Sequence, residues 1–277
     1  PLYFFKNLSA RKQFILGFLI YLTPSFSNYV AYQYVTDDLD PIAQNIMMKH
    51  WNPEDSKLQE EIDVYRGSYD QQFQYRAEMW SSNNENKDPS AEIGEGIIGL
   101  SYLLDLFSRS FGMMLIGMAC FSWGVFNNTL SELFYKKLLI YGFGIGFPLS
   151  IIGLFFNYYF DWHWKYLQFF GRTPNHLATP FIAFGYISMI MLWIRQDNSR
   201  KIQKDLKAIG KTALTAYLIQ TIIATFIFYG IGLGLFGYVS RAYQLVIMVF
   251  IWLILLKLCP LWLRKYQYGP VEWIWRM

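Results

Sequence analysis

Apolar residues along the chain fall into six long runs, separated by polar segments of unequal length. The most informative run spans residues 209–237, and from Ala213 to Leu235 it carries no charged residue. Since a helix rises about 1.5 Å per residue, such a run is long enough to cross a hydrocarbon core of about 30 Å. The run predicts a transmembrane helix, and its closing glycines indicate close helix packing and a helix exit: Gly230, Gly232, Gly234 and Gly237.

The other apolar runs span residues 14–35, 100–123, 138–157, 177–194 and 243–259. Pro24 lies within the first and Pro148 within the third, where each removes one helical hydrogen bond. We expect Ser25, Ser27 or a neighbouring helix to satisfy the carbonyl that Pro24 leaves unpaired. The pattern therefore predicts an all-α, polytopic membrane protein with about six transmembrane helices in this chain.

A long polar segment lies between the first two runs. Apolar and aromatic residues recur there at helical spacing among charges: Leu58, Ile62, Tyr65 and Tyr69. Asn52 is placed to cap a helix that starts at Pro53, Gly67 interrupts the pattern, and residues 81–90 are predicted to form a loop. We expect two short amphipathic helices lying against the membrane surface.

The resulting division has three parts. Residues 1–35 form a basic lead-in and the first transmembrane helix, 36–98 the polar segment, and 99–277 a five-helix membrane domain. The chain begins at Pro1 without an initiator Met or a signal-peptide pattern, so we expect it to be a fragment preceded by further sequence.

Composition agrees with the membrane class, because 54% of residues are hydrophobic and 16% are charged, against about 25% charged in soluble domains. Cations of the short loops concentrate on the side of the N-terminus, while the opposite short loops hold Lys165, Arg172 and Arg241. This positive-inside bias predicts that both ends are cytoplasmic, that residues 36–98 face outward, and that the protein resides in the cell inner membrane.

The same explanation accounts for the net charge of +4, so nucleic-acid binding is not indicated. Cys120 and Cys259 lie inside or at the end of apolar runs, and neither a disulfide nor a metal site is suggested.

Two groups of polar residues carry candidate chemistry. Asp105 and Arg109 lie four residues apart on one face of the second span, either as a self-neutralising anchor at the interface or as a substrate-binding pair. Gln220, in the fifth span, is a further binding candidate because its amide can hydrogen-bond across helices.

The second group lies in the outer loop before the fourth span, FDWHWKYLQFFGRTPNHLATP. His163 or His176 is a candidate general base and Asp161 a candidate to orient it. Arg172 and Asn175 are candidates for holding a carboxylate or phosphate. The alternative is an aromatic interface belt with solvated polar neighbours.

The chain ends in YQYGPVEWIWR. Gly269 and Pro270 break the chain and start a new helical turn, and Glu272 and Arg276 are spaced to pair. Trp273 and Trp275 suit the headgroup zone, so we expect an amphipathic cap at the inner interface.

This ending resembles the GPLEWLWR-type signature of the YeiB family of bacterial membrane proteins, which carry domain of unknown function 418. The segments IGKTALTAYLIQT and FYGIGLGLFG resemble that family's GRMALTNYLLQS and FYGYGLGLFG pattern. VYRGSYDQQFQYR and FGMMLIGMACFSWGVF also resemble segments of the family. The resemblance covers most of residues 62–277 and implies several further helices before Pro1.

The resemblance also implies a distant relation to membrane acyltransferases, whose catalytic residues lie mostly in N-terminal helices, so none is carried over. The first hypothesis is an acyltransferase-like protein that uses a cytoplasmic acyl donor such as acyl-CoA, with no cofactor evident. The alternatives are a small-solute transporter, with helices broken at Pro24 and Pro148, and a non-catalytic subunit that docks membrane-protein partners through residues 36–98. Whether the protein is an enzyme stays open.

Overall fold

The computed structural model describes residues 2–82, 89–196 and 200–277, and over these it is all-helical, as predicted. Most of the loop predicted at 81–90 lies outside the described residues. Five helices are long and apolar enough to cross a membrane, or six if one bent pair counts as a span, so the chain is a multi-pass membrane protein. The five lie within Ala10–Asp38, Gly99–Ser122, Glu132–Tyr159, Phe169–Arg195 and Arg241–Leu263.

The chain divides into two compact units. The first comprises residues 1–52 and 87–196, and the second comprises residues 53–86 and 197–277. Unit 1 contains α1 (Ala10–Gln33), α2 (Pro41–Trp51), α5 (Pro89–Ser122), α6 (Glu132–Tyr159), α7 (Trp164–Tyr166) and α8 (Arg172–Arg195). Unit 2 contains α3 (Asp55–Arg66), α4 (Tyr69–Ser82), α9 (Arg200–Lys211), α10 (Ala213–Phe228), α11 (Arg241–Leu263) and α12 (Pro270–Arg276).

Glycines set the helix pairing in unit 1. A Cβ on Gly17 of α1 would lie 2.8 Å from the carbonyl oxygen of Gly112 on α5, so the two backbones touch. A Cβ on Gly142 of α6 would lie 2.6 Å from the backbone nitrogen of Gly185 on α8. Small residues let membrane helices approach this closely, and the contact is made by van der Waals packing of backbone on backbone.

The proline-containing helices of unit 1 are continuous. α1 runs through Pro24 and α6 through Pro148, so the expectation of helices broken at these prolines is wrong. Pro24 lacks the N–H that would bond the carbonyl of Ile20, and the hydroxyl of Thr23 donates to that carbonyl instead, at 2.8 Å. A residue on the same helical turn therefore compensates for the proline, in place of the predicted Ser25 or Ser27.

The fifth apolar run does not form one straight helix, contrary to the prediction. α9 and α10 meet at an angle of 85° beside Thr212, and α10 ends at Phe228. The closing glycines form the turn that follows, where Gly234 and Gly237 adopt left-handed backbone angles with φ of 62° and 76°. We call this turn, residues 229–238, the glycine loop. Backbone hydrogen bonds connect it to α10, for example from the N–H of Leu233 to the carbonyl of Phe226 at 2.8 Å.

The glycine loop holds α3. Gly230 donates its N–H to the carbonyl of Tyr65 at 3.1 Å, and an added Cβ on Gly230 would collide with the carbonyl oxygens of Arg66 and Gly67. Arg66 donates to the carbonyl of Phe236 at 2.8 Å and stacks over the ring of Tyr238. Glycine is therefore required at position 230 by the close approach of a second backbone.

The polar segment carries three helices, α2, α3 and α4, where two were predicted. α3 ends at Arg66, directly before Gly67, as its pattern indicated, but it begins at Asp55 with Glu54 in the capping position, two residues later than predicted. The additional helix is α2, whose first turn is fixed by Asp40: its side chain accepts from the N–H of Ile42 at 2.8 Å. Asp followed by Pro is a strong helix start.

Candidate functional site

Charged side chains from two helices of unit 1 meet at Asp105. Its carboxylate accepts from Arg109, one turn along α5, at 3.0 and 3.1 Å, and from Arg172, at the start of α8, at 2.8 Å. Asp105 is 5% exposed. The structure thus joins Arg172 of the predicted outer-loop group to the predicted Asp105–Arg109 pair, and a buried carboxylate held by two guanidinium groups is well satisfied.

One turn further along α8, His176 packs against Tyr21 of α1. The two rings stack with centroids 4.1 Å apart, and His176 is 2% exposed. The hydroxyl of Tyr21 donates to the carbonyl of His176 at 2.6 Å, and Nε2 of His176 lies 2.8 Å from the carbonyl of Tyr21. Two residues of different helices therefore hold each other reciprocally, with the side chain of each bonded to the backbone of the other.

Pro180 explains why the carbonyl of His176 is available. A residue four positions later would normally donate its N–H to this carbonyl, but Pro180 has none. The Tyr21 hydroxyl donates in place of the missing N–H and so satisfies the buried carbonyl of His176.

Tyr21, Asp105, Arg109, Arg172 and His176 form what we call the three-helix cluster, since α1, α5 and α8 contribute to it. The charges of the cluster lie within electrostatic reach of the His176 ring.

The cluster contains polar atoms with no hydrogen-bond partner among the described residues. They are Nδ1 of His176 and Nε of Arg109. Oγ1 of Thr173, the residue after Arg172 on α8, is a further atom without a partner in the described part of the chain. Because a carbonyl oxygen can only accept, the bond to Tyr21 assigns the hydrogen of a neutral His176 ring to Nε2. Nδ1 then holds a lone pair, so the site presents a proton acceptor and a cationic N–H donor inside a bundle of helices.

Asp161 and His163 do not join the cluster. Asp161 is exposed and lies in the tight turn after α6, with a left-handed φ of 48°. His163 caps α7, and its Nδ1 accepts from the N–H of Lys165 at 3.3 Å. The structure shows no hydrogen bond between Asp161 and His163, both of which lie in its described part. Of the two candidate bases, His176 alone is placed beside Arg109 and Arg172.

The remaining binding candidates lie elsewhere. Asn175 is exposed on α8 and accepts from the hydroxyl of Ser150 on α6 at 3.0 Å. Gln220 belongs to unit 2, where it is exposed and borders a shallow cavity beside Trp252. Neither residue contributes to the three-helix cluster.

The closing motif of the chain forms a latch on α10. The carboxylate of Glu272 accepts from both the N–H and the hydroxyl of Thr215, and the N–H of Val271 donates to the same hydroxyl at 3.2 Å. Gly269 leaves room for this contact, since a Cβ there would lie 2.6 Å from Oγ1 of Thr215. Pro270 occupies the first helical turn of α12.

The predicted pairing of Glu272 with Arg276 is replaced by this latch. Arg276 lies over the ring of Tyr268, at 4.1 Å. Trp273 and Trp275 are exposed, as residues that meet a headgroup zone are. Burial raises the pKa of Glu272, but the hydrogen bonds that it accepts, first those from Thr215 and then those from backbone N–H groups, together lower it by more, so its pKa lies below the ordinary value of 4.5.

Tyr21 is the member of the cluster that sequence reasoning missed. It lies in an apolar run, and no charged residue between positions 14 and 36 marks it as part of a polar site. The sequence around its partner His176 did contain a signal. Pro180, four residues later, has no N–H, so the carbonyl of His176 needs another hydrogen-bond donor. Within the described residues, no group of three or more side chains suited to a metal ion occurs.

Comparison with known proteins identifies relatives of the chain. A family model described as a protein of unknown function (DUF418) matches residues 120–277. The chain is 33% identical over 165 residues to the uncharacterized protein YeiB of Escherichia coli K12, covering 60% of this chain and 42% of that protein. It is 35% identical over 100 residues to the uncharacterized protein YxaH of Bacillus subtilis 168, covering 36% of this chain and 25% of that protein.

A third relative is the uncharacterized 39.9 kDa protein in the amylase 3′ region of Bacillus acidopullulyticus, 26% identical over 180 residues, covering 60% of this chain and half of that protein. No solved structure matches the chain. The chain thus spans half or less of the length of these relatives. The family match includes Arg172, His176 and the Thr215–Glu272 latch, whereas Tyr21, Asp105 and Arg109 lie before it.

Proposed function

The chain belongs to the DUF418 family, and on that premise we propose that the protein is a membrane acyltransferase in which His176 is the general base. The observation that carries the proposal is the unpartnered Nδ1 of His176, a buried proton acceptor within electrostatic reach of two guanidinium groups. A buried acceptor without a partner costs free energy, so a role in proton transfer would explain why it is kept.

The chemistry is a transfer from a thioester to a hydroxyl. The acceptor's hydroxyl oxygen attacks the thioester carbonyl carbon while Nδ1 of His176 takes the hydroxyl proton. The carbon–sulfur bond then breaks, and the departing thiolate receives that proton. The hydrogen bond from Nε2 to the carbonyl of Tyr21 fixes the tautomer and the orientation of the ring, as a positioning contact for the base.

The cationic part of the cluster is suited to a negatively charged acceptor. Nε of Arg109 is the unpartnered donor, and Asp105 fixes the direction of the guanidinium group. A phosphate or carboxylate on the acceptor would accept from this N–H and bring its hydroxyl next to His176.

The test uses the full-length protein in native membranes and in detergent, with radiolabelled acetyl-CoA and longer acyl-CoA thioesters. We expect saturable binding and loss of the thioester. His176→Gln should lower turnover by about 10²–10⁴-fold, the usual contribution of a general base. His163→Gln is the matched control and should leave turnover unchanged, because His163 caps α7 outside the cluster.

Tyr21→Phe shows how much a weakened fold alone lowers turnover when the proposed base, His176, is still present. It removes one buried hydrogen bond to the same histidine residue but keeps the ring stacking and Nδ1. We expect a lower melting temperature with much of the turnover retained. Equal turnover in His176→Gln and wild type, or a folded sample that binds no acyl-CoA, would overturn the proposal.

A further inference from the structure

An apolar cavity in unit 2 opens beside a cluster of cations. The cavity has a volume of about 560 Å³ and is bordered by Ile219 of α10, Leu258 and Leu261 of α11, and Trp262. Cavities of about 300–1,000 Å³ are of the size that hold small molecules or parts of lipids. Its lining is mostly apolar, which suits a hydrocarbon chain.

The bend between α9 and α10 lies at the edge of this cavity. Thr212, 1% exposed at the bend, donates its hydroxyl to the carbonyl of Ala208 at 3.1 Å, so its polar group is satisfied by the helix that ends there. α9 and α10 meet there at 85°, and Thr212 and Thr215 border the cavity beside the end of α11. The latch at Thr215 holds α12 across the same end of α10.

A second cleft, of about 400 Å³, adjoins the first and shares Lys265 and Tyr266 with it. It is bordered by Lys211, Arg264 and Lys265, all exposed, and none of them belongs to an ion pair found in the described part of the chain. Glu272, the acidic group at this end, is already bonded to Thr215. Three cations therefore face a cleft without an acidic partner.

We propose that this combined site binds an anionic glycerophospholipid of the bilayer. One acyl chain would lie in the apolar cavity and the phosphate would lie among Lys211, Arg264 and Lys265. Basic clefts at the ends of membrane helices recognise anionic headgroups in this way, each cation contributing about 1 kcal/mol near a membrane surface. A lipid is favoured over a soluble amphiphile because Leu258 lies on α11, a helix long and apolar enough to cross a membrane, and Ile219 lies on the bent pair that would make a sixth span.

The test is native mass spectrometry of the full-length protein in neutral detergent, titrated with phosphatidylglycerol and, separately, phosphatidylethanolamine. We expect phosphatidylglycerol to bind more tightly. The triple variant Lys211→Gln/Arg264→Gln/Lys265→Gln should weaken this binding on the order of 100-fold, from about 1 kcal/mol per cation. The control Lys201→Gln/Lys204→Gln/Lys207→Gln removes the same charge from α9 outside the cleft and should change binding little.

A second variant tests the apolar part with the cations intact. Leu258→Trp adds bulk at an exposed position that borders the cavity, and it should reduce phosphatidylglycerol binding while the protein stays monodisperse. Equal loss in the two triple variants, or equal affinity for the two lipids, would overturn the proposal. Displacement of phosphatidylglycerol by lower concentrations of palmitoyl-CoA, lost in Leu258→Trp, would also overturn it and assign the site to a soluble thioester.

Discussion

At the scale of single residues, the carboxylate of Asp105 binds the guanidinium groups of Arg109 and Arg172. Asp105→Asn would leave two guanidinium groups beside a neutral amide, and we expect the free energy of unfolding to fall by about 1.5–3 kcal/mol, the range for hydrogen bonds to charged groups. Thermal unfolding in detergent measures it.

The matched control is Glu132→Gln. It breaks an ion pair of the same spacing, with Lys136 on α6, but both side chains are 59% exposed. Exposed pairs contribute little, so no change in melting temperature is expected. If the two variants lose equal stability, burial is not what makes the Asp105 contacts matter.

The sequence reached some of these residues and missed others for physical reasons. Asp105 and Arg109 were identifiable because charge at membrane depth is costly and therefore conspicuous. Arg172 was identifiable as a cation among the titratable residues of the outer loop. The contact between Asp105 and Arg172 could not be predicted from the sequence. The two residues lie 67 positions apart, and no local pattern encodes the rotation of α5 against α8. His176 could not be separated from His163 without the fold, because both are histidines in one aromatic-rich loop region.

At the scale of helices, two of the four glycines of α6 differ in their surroundings. A Cβ on Gly142 would press on the backbone of α8, whereas a Cβ on Gly144 would meet nothing within 4 Å. We expect Gly142→Ala to destabilise the protein by about 1–3 kcal/mol through overpacking. Gly144→Ala should be neutral or stabilising by up to about 1 kcal/mol, because alanine favours helix. Melting temperatures of the pair measure the difference, and equal values would show that α6 and α8 do not touch at Gly142.

The latch of α12 should depend on pH. The pKa of Glu272 is lower in the folded protein than its ordinary value of 4.5, so its contribution to stability is complete above that value and is lost as the pH falls through the lower folded pKa. A fluorophore on Trp275→Cys should therefore become more mobile only in acid below pH 4.5, as fluorescence anisotropy would report.

Glu272→Gln supplies the control for that titration. It removes the titrating carboxylate, so the label should be equally mobile at pH 7 and in acid. If the label on Trp275→Cys, with Glu272 intact, does not change its mobility between pH 7 and pH 3, the latch is not held by an ionised carboxylate.

Elements were predictable where their signals were local. The helical segment that ends at Gly67 and the break at Gly269 followed from residue type alone. The end of α10 was placed too late because an uncharged run looks like one helix, while the fold uses its glycines to receive the backbone of α3. Hydropathy reports that a segment suits the membrane, and tertiary contact decides where its helix stops.

At the scale of the molecule, contacts predict which segments share a side of the membrane. The glycine loop bonds to α3, so we expect both on one side, and the latch joins α12 to the start of α10 at the other end of that helix. Ser56→Cys and Ser240→Cys should therefore be labelled together by an impermeant thiol reagent, and Gln267→Cys should be labelled from the opposite face.

Positive-inside bias predicts that Ser56→Cys and Ser240→Cys react in intact cells, and that Gln267→Cys reacts after lysis. Background is low because Cys120 and Cys259 are buried. Labelling of Ser56→Cys and Ser240→Cys from different sides would contradict the α3 contact itself, whereas a joint reversal would contradict the predicted orientation alone.

The bond from Arg66 to the carbonyl of Phe236 joins residues 170 positions apart, and this separation has a consequence during biosynthesis. A ribosome that adds about 5–20 residues per second needs about 10–35 s to deliver the glycine loop after α3 has emerged. Until then α3 and α4 exist without the backbone that receives them. This interval is when proteases and chaperones have access to the segment, and a premature stop anywhere before Phe236 would make it permanent.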